Sequence, residues 1–266
     1  MITSTSNPQI RQIVQLNTKA RARRREGLFA AEGIKLFHEA PQALREKVFV
    51  SESFLADADH RQMVDGTPYE TVSDSVFAHM SDTATPQGIL TLLHMPHYGK
   101  EELLGSSGRP ALIMVLEDLQ DPGNMGTILR TGEGAGVTGV VLSKGCVDLF
   151  APKTIRSTMG SVFRVPFYQT DDLAGTIAWL KQEGIQTCAA HLKGELPYHK
   201  ADYLGGTAFL IGNEGNGLTE ETAALADVKV KIPMEGKVES LNAAVAAALL
   251  MYEAHNRRAE KTFEKE

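Results

Sequence analysis

The sequence predicts an α/β protein of two domains: a smaller N-terminal α/β domain and a larger C-terminal one with a mostly parallel sheet and helices on both faces. Three observations carry this. After Pro110, short continuous apolar runs such as Leu112–Leu116 alternate with helical stretches, the pattern of parallel strands covered on both faces. Before about residue 95, shorter helices and strands alternate. Between them, Pro96, Gly99, Gly105, Ser106, Gly108 and Pro110 fall without periodicity and mark a linker. The expected division is 1–95, a linker over 96–109, and 110–266.

Taken in order, Asn7-Pro8 caps and opens a helix running through Leu16, because proline suits the first helical position and asparagine can satisfy a free N–H. Leu28–Ala31 reads as a strand, Ile34–Ala40 as a helix, Lys47–Val50 and Gly88–Leu93 as strands, and Asp74–Ser81 as a helix. In the second half, Val140–Leu142, Ile185–Ala190, Phe209–Ile211 and Val228–Ile232 repeat the buried-strand pattern of Leu112–Leu116. Asp171 is the expected N-cap of a helix over Leu173–Glu183, with Gly184 at its end. Gly132, Gly134 and Gly136 imitate a dinucleotide fingerprint, but they follow a helix and precede a strand. They read as helix termination and tight packing.

A hydrophobic fraction of 42% and a charged fraction of 23% are those of a globular chain that buries a core. No apolar run approaches a membrane span, and the N-terminus lacks a basic start followed by an apolar stretch, so a cytoplasmic protein is expected. Cys146 and Cys188 lie far apart with no CxxC spacing and read as free thiols; no metal site is expected. The net charge of −6 conceals a local basic density, since Lys19, Arg21, Arg23, Arg24 and Arg25 precede the first acid, Glu26. Such a patch can meet RNA phosphates, and it can equally be a solvated face.

Three loops carry residues that packing does not require. Asp121-Pro122-Gly123-Asn124 leads from a strand into a helix that bears Arg130, at the strand end where parallel sheets bind ligands. Gly212-Asn213-Glu214-Gly215-Asn216-Gly217 follows another strand, and its glycines allow close backbone approach. The third, Ile232-Pro233-Met234 through Glu239-Ser240-Leu241-Asn242, enters an alanine-rich helix whose free N–H groups favour an anionic or carbonyl ligand. That helix is apolar on nearly all sides through Tyr252, which calls for burial or a partner.

In this order the three segments resemble the signature motifs of the SpoU (TrmH-type) branch of the SPOUT methyltransferases, and residues 19–33 are similar to the L30e-like substrate-binding domain often joined to them. The resemblance covers about the last 155 residues of the chain. It departs from the family at Ala244, where many relatives have serine, and at Gly132, where alanine is common. It implies a trefoil-knot domain, dimerised through the knot. It also implies S-adenosylmethionine as cofactor, held by Gly212, Ile232, Met234 and Leu241, and an active site of Asn124, Arg130, Glu214, Ser240 and Asn242. The implied reaction is methyl transfer to a ribose 2′-hydroxyl of RNA, with 23S ribosomal RNA preferred and transfer RNA second, and with Arg21, Arg23, Arg24 and Arg25 on RNA. Neither DNA nor a membrane is an expected partner. A non-catalytic RNA-binding or ribosome-assembly protein on the same fold, or a base methyltransferase, is the alternative. Because a guanidinium with a pKa above about 12 resists acting as a base, Arg130 is expected to stabilise developing charge and clamp phosphate. Asn124 would orient it, and Glu214 would hold the arginine or its loop.

Overall fold

The computed structural model describes residues 1–106 and 108–263, which fold as two compact units. One comprises Met1–Pro96 with Asp148–Phe163, the other His97–Val147 with Arg164–Glu266. The first stretch carries α1 (Pro8–Thr18), α2 (Ala20–Glu26), β1 (Leu28–Glu32), α3 (Ile34–Glu39), β2 (Arg45–Ser51), α4 (Glu52–Ala56), α5 (Ala58–Met63), β3 (Glu70–Val72), α6 (Asp74–Met80) and β4 (Ile89–His94). Beyond it come β5 (Leu112–Leu116), α7 (Pro122–Ala135), β6 (Gly139–Ser143), α8 (Pro152–Thr158), β7 (Phe167–Thr170), α9 (Leu173–Gln182) and β8 (Gln186–Ala190). The chain continues through β9 (Leu196–Pro197), β10 (Thr207–Ile211), α10 (Glu220–Leu225), β11 (Val228–Lys231) and α11 (Ala243–Phe263).

The first unit is a four-stranded sheet in the order β1-β4-β2-β3. Asn7 caps α1 through a hydrogen bond from the Gln9 amide (2.9 Å), as the Asn-Pro pair predicts. Ile10 and Ile13 of α1 pack with Val76, Phe77 and Met80 of α6 in one core cluster, whereas Phe37 and Phe54 pack with Val48 and Val50 in another. Phe29 is fully buried and packs against Phe150 and Phe163, at 4.8 and 6.4 Å between ring centroids. The segment Asp148–Phe163 therefore completes this unit's core, although it lies far along the chain.

Residues 20–26 form a helix, and this corrects the reading of its arginines as one RNA-contacting row. Arg23 is 4% exposed; its Nη2 and Nε donate to the Asp148 carboxylate at 2.6 and 3.1 Å, and its Nη1 to the Leu16 carbonyl. A guanidinium used in this way cannot reach phosphates. Arg25 remains at the surface in an ion pair with Glu26 (2.6 Å).

The second unit is a seven-stranded parallel sheet in the order β7-β6-β5-β10-β8-β11-β9. Every residue of β5, β6 and β10 is buried, so both faces are covered. Ile177 and Leu180 of α9 and Ala223 of α10 join the core cluster of Ile113, Val115, Ala208 and Leu210. The N-cap of α9 is Asp172, not Asp171, through a 2.8 Å bond from Gly175 N. Gly136 ends α7 at φ 81°, which accounts for one glycine of the false fingerprint. Nor is the 96–109 stretch free linker throughout: Leu103 is fully buried and its carbonyl accepts from Thr138 Oγ1 at 2.7 Å.

Removing Asp148 leaves the Arg23 charge buried without its partner. Asp148→Ala is expected to lower stability in urea unfolding by about 3 kcal/mol, and Arg25→Ala, which breaks an exposed pair, by less than about 1 kcal/mol. Small and equal losses would contradict a structural role for Arg23.

Candidate active site

The parallel strands direct the loops after β5, β8, β10 and β11 to one edge of the sheet. Because β10 lies between β5 and β8, the glycine-rich loop sits beside the loop that opens α7. The loops after β8, β10 and β11 and the start of α11 line a cavity of about 260 Å³. Gly212, Glu214, Ile232, Met234, Ser240 and Leu241, all predicted from sequence, are among its walls. A Cβ at Gly212 would overlap the backbone of Gly217 and Leu218, so the turn that closes on itself there admits only glycine.

Asn124 and Asn242 do not line the cavity; they connect its parts. Asp121 caps α7 by accepting from Asn124 N (2.8 Å), which places the Asn124 side chain at the first turn, buried. Its Nδ2 donates to Glu214 Oε1 (3.0 Å), and its Oδ1 accepts from Asn242 Nδ2 (2.9 Å). Asn242 in turn accepts from Ala244 N at 2.9 Å and caps the start of α11. Each amide has its oxygen and nitrogen ends assigned by a partner of fixed sense, so the chain of bonds admits one orientation.

Glu214 anchors this chain. Besides Asn124, it accepts from the backbone N–H of Gln120 (3.0 Å) and Asp121 (2.9 Å). Burial pushes its carboxyl pKa up, but the bonds from Asn124, Gln120 and Asp121 outweigh that and hold it below the ordinary carboxylate value. Glu214 thus holds the loop before α7. It does not hold Arg130, and Asn124 does not orient Arg130.

Arg130 is exposed, with no hydrogen-bond or ion-pair partner among the described residues, and it is not part of the cavity wall. Helical geometry explains the separation: six residues along an α-helix leave two side chains about 120° apart. Sequence reasoning missed Asn213, whose Nδ2 donates to the Asp118 carbonyl (2.8 Å) and whose Oδ1 accepts from Gly215 N (2.9 Å), cross-linking the two loops. It also missed His191 and Leu192, which line the cavity from the end of β8. Their only sequence signal is a place after an apolar strand, and the strand's neighbours are not readable from sequence. Among the described residues no group of three or more His, Cys, Asp or Glu could hold a metal ion. Among the described residues no helix is long and apolar enough to cross a membrane.

Residues 111–252 match the SpoU rRNA Methylase family and residues 7–91 the MRM3-like substrate binding domain. Over 253 residues the chain is 33% identical to the 23S rRNA (guanosine(2553)-2'-O)-methyltransferase RlmP of Bacillus subtilis, covering 94% of this chain and 97% of that protein. A crystal structure of an RNA 2'-O ribose methyltransferase superposes with a TM-score of 0.80 at 32% identity, covering 97% of this chain and 99% of the other. An AdoMet-bound rRNA methyltransferase from Sinorhizobium meliloti does so at 0.81 and 28% identity, covering 96% and 97%.

The lowered Glu214 pKa fixes the sign of a pH effect. A carboxylate depressed on folding contributes stability that is present above its unfolded pKa and lost as pH falls through the folded value. Glu214→Gln is therefore expected to be less stable than wild type at neutral pH, with the gap closing below roughly pH 4. Denaturation across that range checks it; a gap that persists in acid would contradict the assignment.

Proposed function

The chain belongs to the SpoU rRNA methylase family, and from that premise we propose that it methylates a ribose 2′-hydroxyl of 23S ribosomal RNA, with S-adenosylmethionine as donor. The observation that carries the reading is the convergence of two remote motif segments on one glycine-floored cavity at the carboxyl edge of a parallel sheet, with the third segment tied to both through Asn124. The cavity suits the cofactor: Ile211, Ile232, Leu241 and Leu250 offer apolar walls for the adenine. The backbone of Gly212–Gly217 and the start of α11 offer polar groups for the remainder. Bound there, S-adenosylmethionine supplies a methyl carbon already activated by its sulfonium.

What remains for the protein is to align the ribose oxygen and stabilise the charge that develops as its proton leaves. Arg130 suits this role because its guanidinium is exposed and uncommitted, free to meet a ribose oxygen or a neighbouring phosphate. Ser240, on the cavity wall, is the second group near the reacting atoms. Asn124, Glu214 and Asn242 act one step back, as positioning residues, since their polar atoms are committed to one another and to backbone groups. Arg21 and Arg24, both exposed, are the phosphate contacts retained from the basic stretch. A cytoplasmic homodimer completes the proposal. Val245, Leu249 and Tyr252 are 49%, 37% and 44% exposed along one side of α11, an apolar stripe that a second copy would cover.

Arg130→Ala is expected to reduce single-turnover methyl transfer by at least about a hundredfold, the scale of losing one preorganised stabiliser. Cofactor affinity and melting temperature should stay near wild type. A stable variant with a normal single-turnover rate on ribosomal RNA would end this assignment. For the dimer, light scattering at micromolar protein should give twice the chain mass, and Leu249→Glu should halve it; a monomeric wild type would remove α11 as an interface.

A further inference from the structure

Glu117, the residue that follows β5, belongs to none of the three motif segments and does not line the cavity. It is nonetheless a buried carboxylate, 8% exposed, beneath the far end of the glycine-rich loop. Its Oε2 accepts from Thr219 N and its Oε1 from Thr219 Oγ1, both at 2.8 Å, and Oε1 also accepts from Thr222 Oγ1. The Thr219 hydroxyl is itself engaged as the N-cap of α10, accepting from Thr222 N at 3.1 Å. The Glu117 backbone N–H donates to the Ile211 carbonyl (2.8 Å), at the point where the loop begins.

The loop between β10 and α10 is therefore held at three places by one short stretch of chain. Glu117 ties its exit, the Asp118 carbonyl ties Asn213 near its entry, and the amides of Gln120 and Asp121 tie Glu214 in its middle. Gly215, Asn216 and Gly217 are exposed, and glycine-rich backbone loses more freedom on ordering than any other. Without its exit fixed, such a loop would lose that freedom each time a ligand bound, and affinity would fall accordingly.

We propose that Glu117 is a positioning residue for the cofactor: through Thr219 and Thr222 it pre-orders the glycine-rich loop that forms the cavity wall. The proposal rests on the cofactor reading above. A buried carboxylate could instead merely stabilise the fold, and the two roles give different results. The structural role lowers melting temperature and weakens cofactor and RNA binding together. The positioning role acts on the loop and on cofactor affinity, leaving RNA affinity and the rate at saturation in place.

The test titrates the full-length protein with S-adenosylmethionine by calorimetry, and follows hydrogen–deuterium exchange of residues 213–219 without cofactor. Glu117→Ala is expected to raise the cofactor Kd about tenfold, the scale of leaving one buried donor unpaired. Exchange in the loop should speed up, while RNA Kd and kcat at saturating cofactor stay within about twofold. Glu117→Gln keeps the volume and one acceptor oxygen, and should recover part of both effects. If the alanine variant does not fold, the glutamine variant carries the test alone, with a smaller rise in Kd and faster loop exchange. Unchanged Kd and exchange in a folded variant overturn the proposal, as does a rise in cofactor Kd matched by an equal loss of RNA affinity. Wild type titrated in parallel separates the two readings: if it fails to bind the cofactor, the proposed function itself falls.

Discussion

The chain of hydrogen bonds from Glu214 through Asn124 to Asn242 is the contact on which the candidate site depends. It joins residues 90 and 118 positions apart in sequence, one in a glycine-rich loop, one at the start of α7 and one at the cap of α11. Each of those segments alone has backbone freedom that would blur the cavity. The link works because its members are already constrained. Asp121 and Pro122 fix the first turn of α7, and Asn242 is oriented by the helix N–H groups it caps. Glu214 accepts two backbone N–H bonds, one on each carboxylate oxygen. Local capping chemistry and long-range assembly are here the same bonds.

The sheet brings these segments within reach. Strands β5, β6 and β10 are buried along their whole length, so they run parallel under two covering layers and deliver their following loops to one edge. With β10 beside β5, the loop after residue 116 and the loop after residue 211 become neighbours. Asn124 faces inward and serves the wall, whereas Arg130 lies on another side of the same helix, exposed and without a hydrogen-bond partner among the described residues.

Much of this was legible in the sequence. The apolar runs predicted β5, β6, β8, β10 and β11, Asn7-Pro8 predicted α1, and two of the three loops predicted residues that line the cavity. What escaped has physical reasons. β7 and β9 are edge strands, only partly buried, so their patterns lack the continuous apolar run of the central strands. The basic stretch shows no sign that Arg23 is buried, because its partner Asp148 lies 125 residues away. Phe150 and Phe163 read as part of the second half, yet they pack on Phe29. His191 and Glu117 become visible only with the order of the strands, which sequence alone does not encode in readable form.

The most direct test of the account is a double-mutant cycle on cofactor affinity between Glu214→Gln and Asn242→Ala, two residues linked through Asn124. If the three form one positioning chain, breaking either end already frees Asn124. The double variant should then bind the cofactor only slightly worse than the poorer single variant, a coupling of about 1 kcal/mol or more. Effects that add within about 0.5 kcal/mol would show that the two residues act independently, and would contradict the claim that this chain of hydrogen bonds holds the site together.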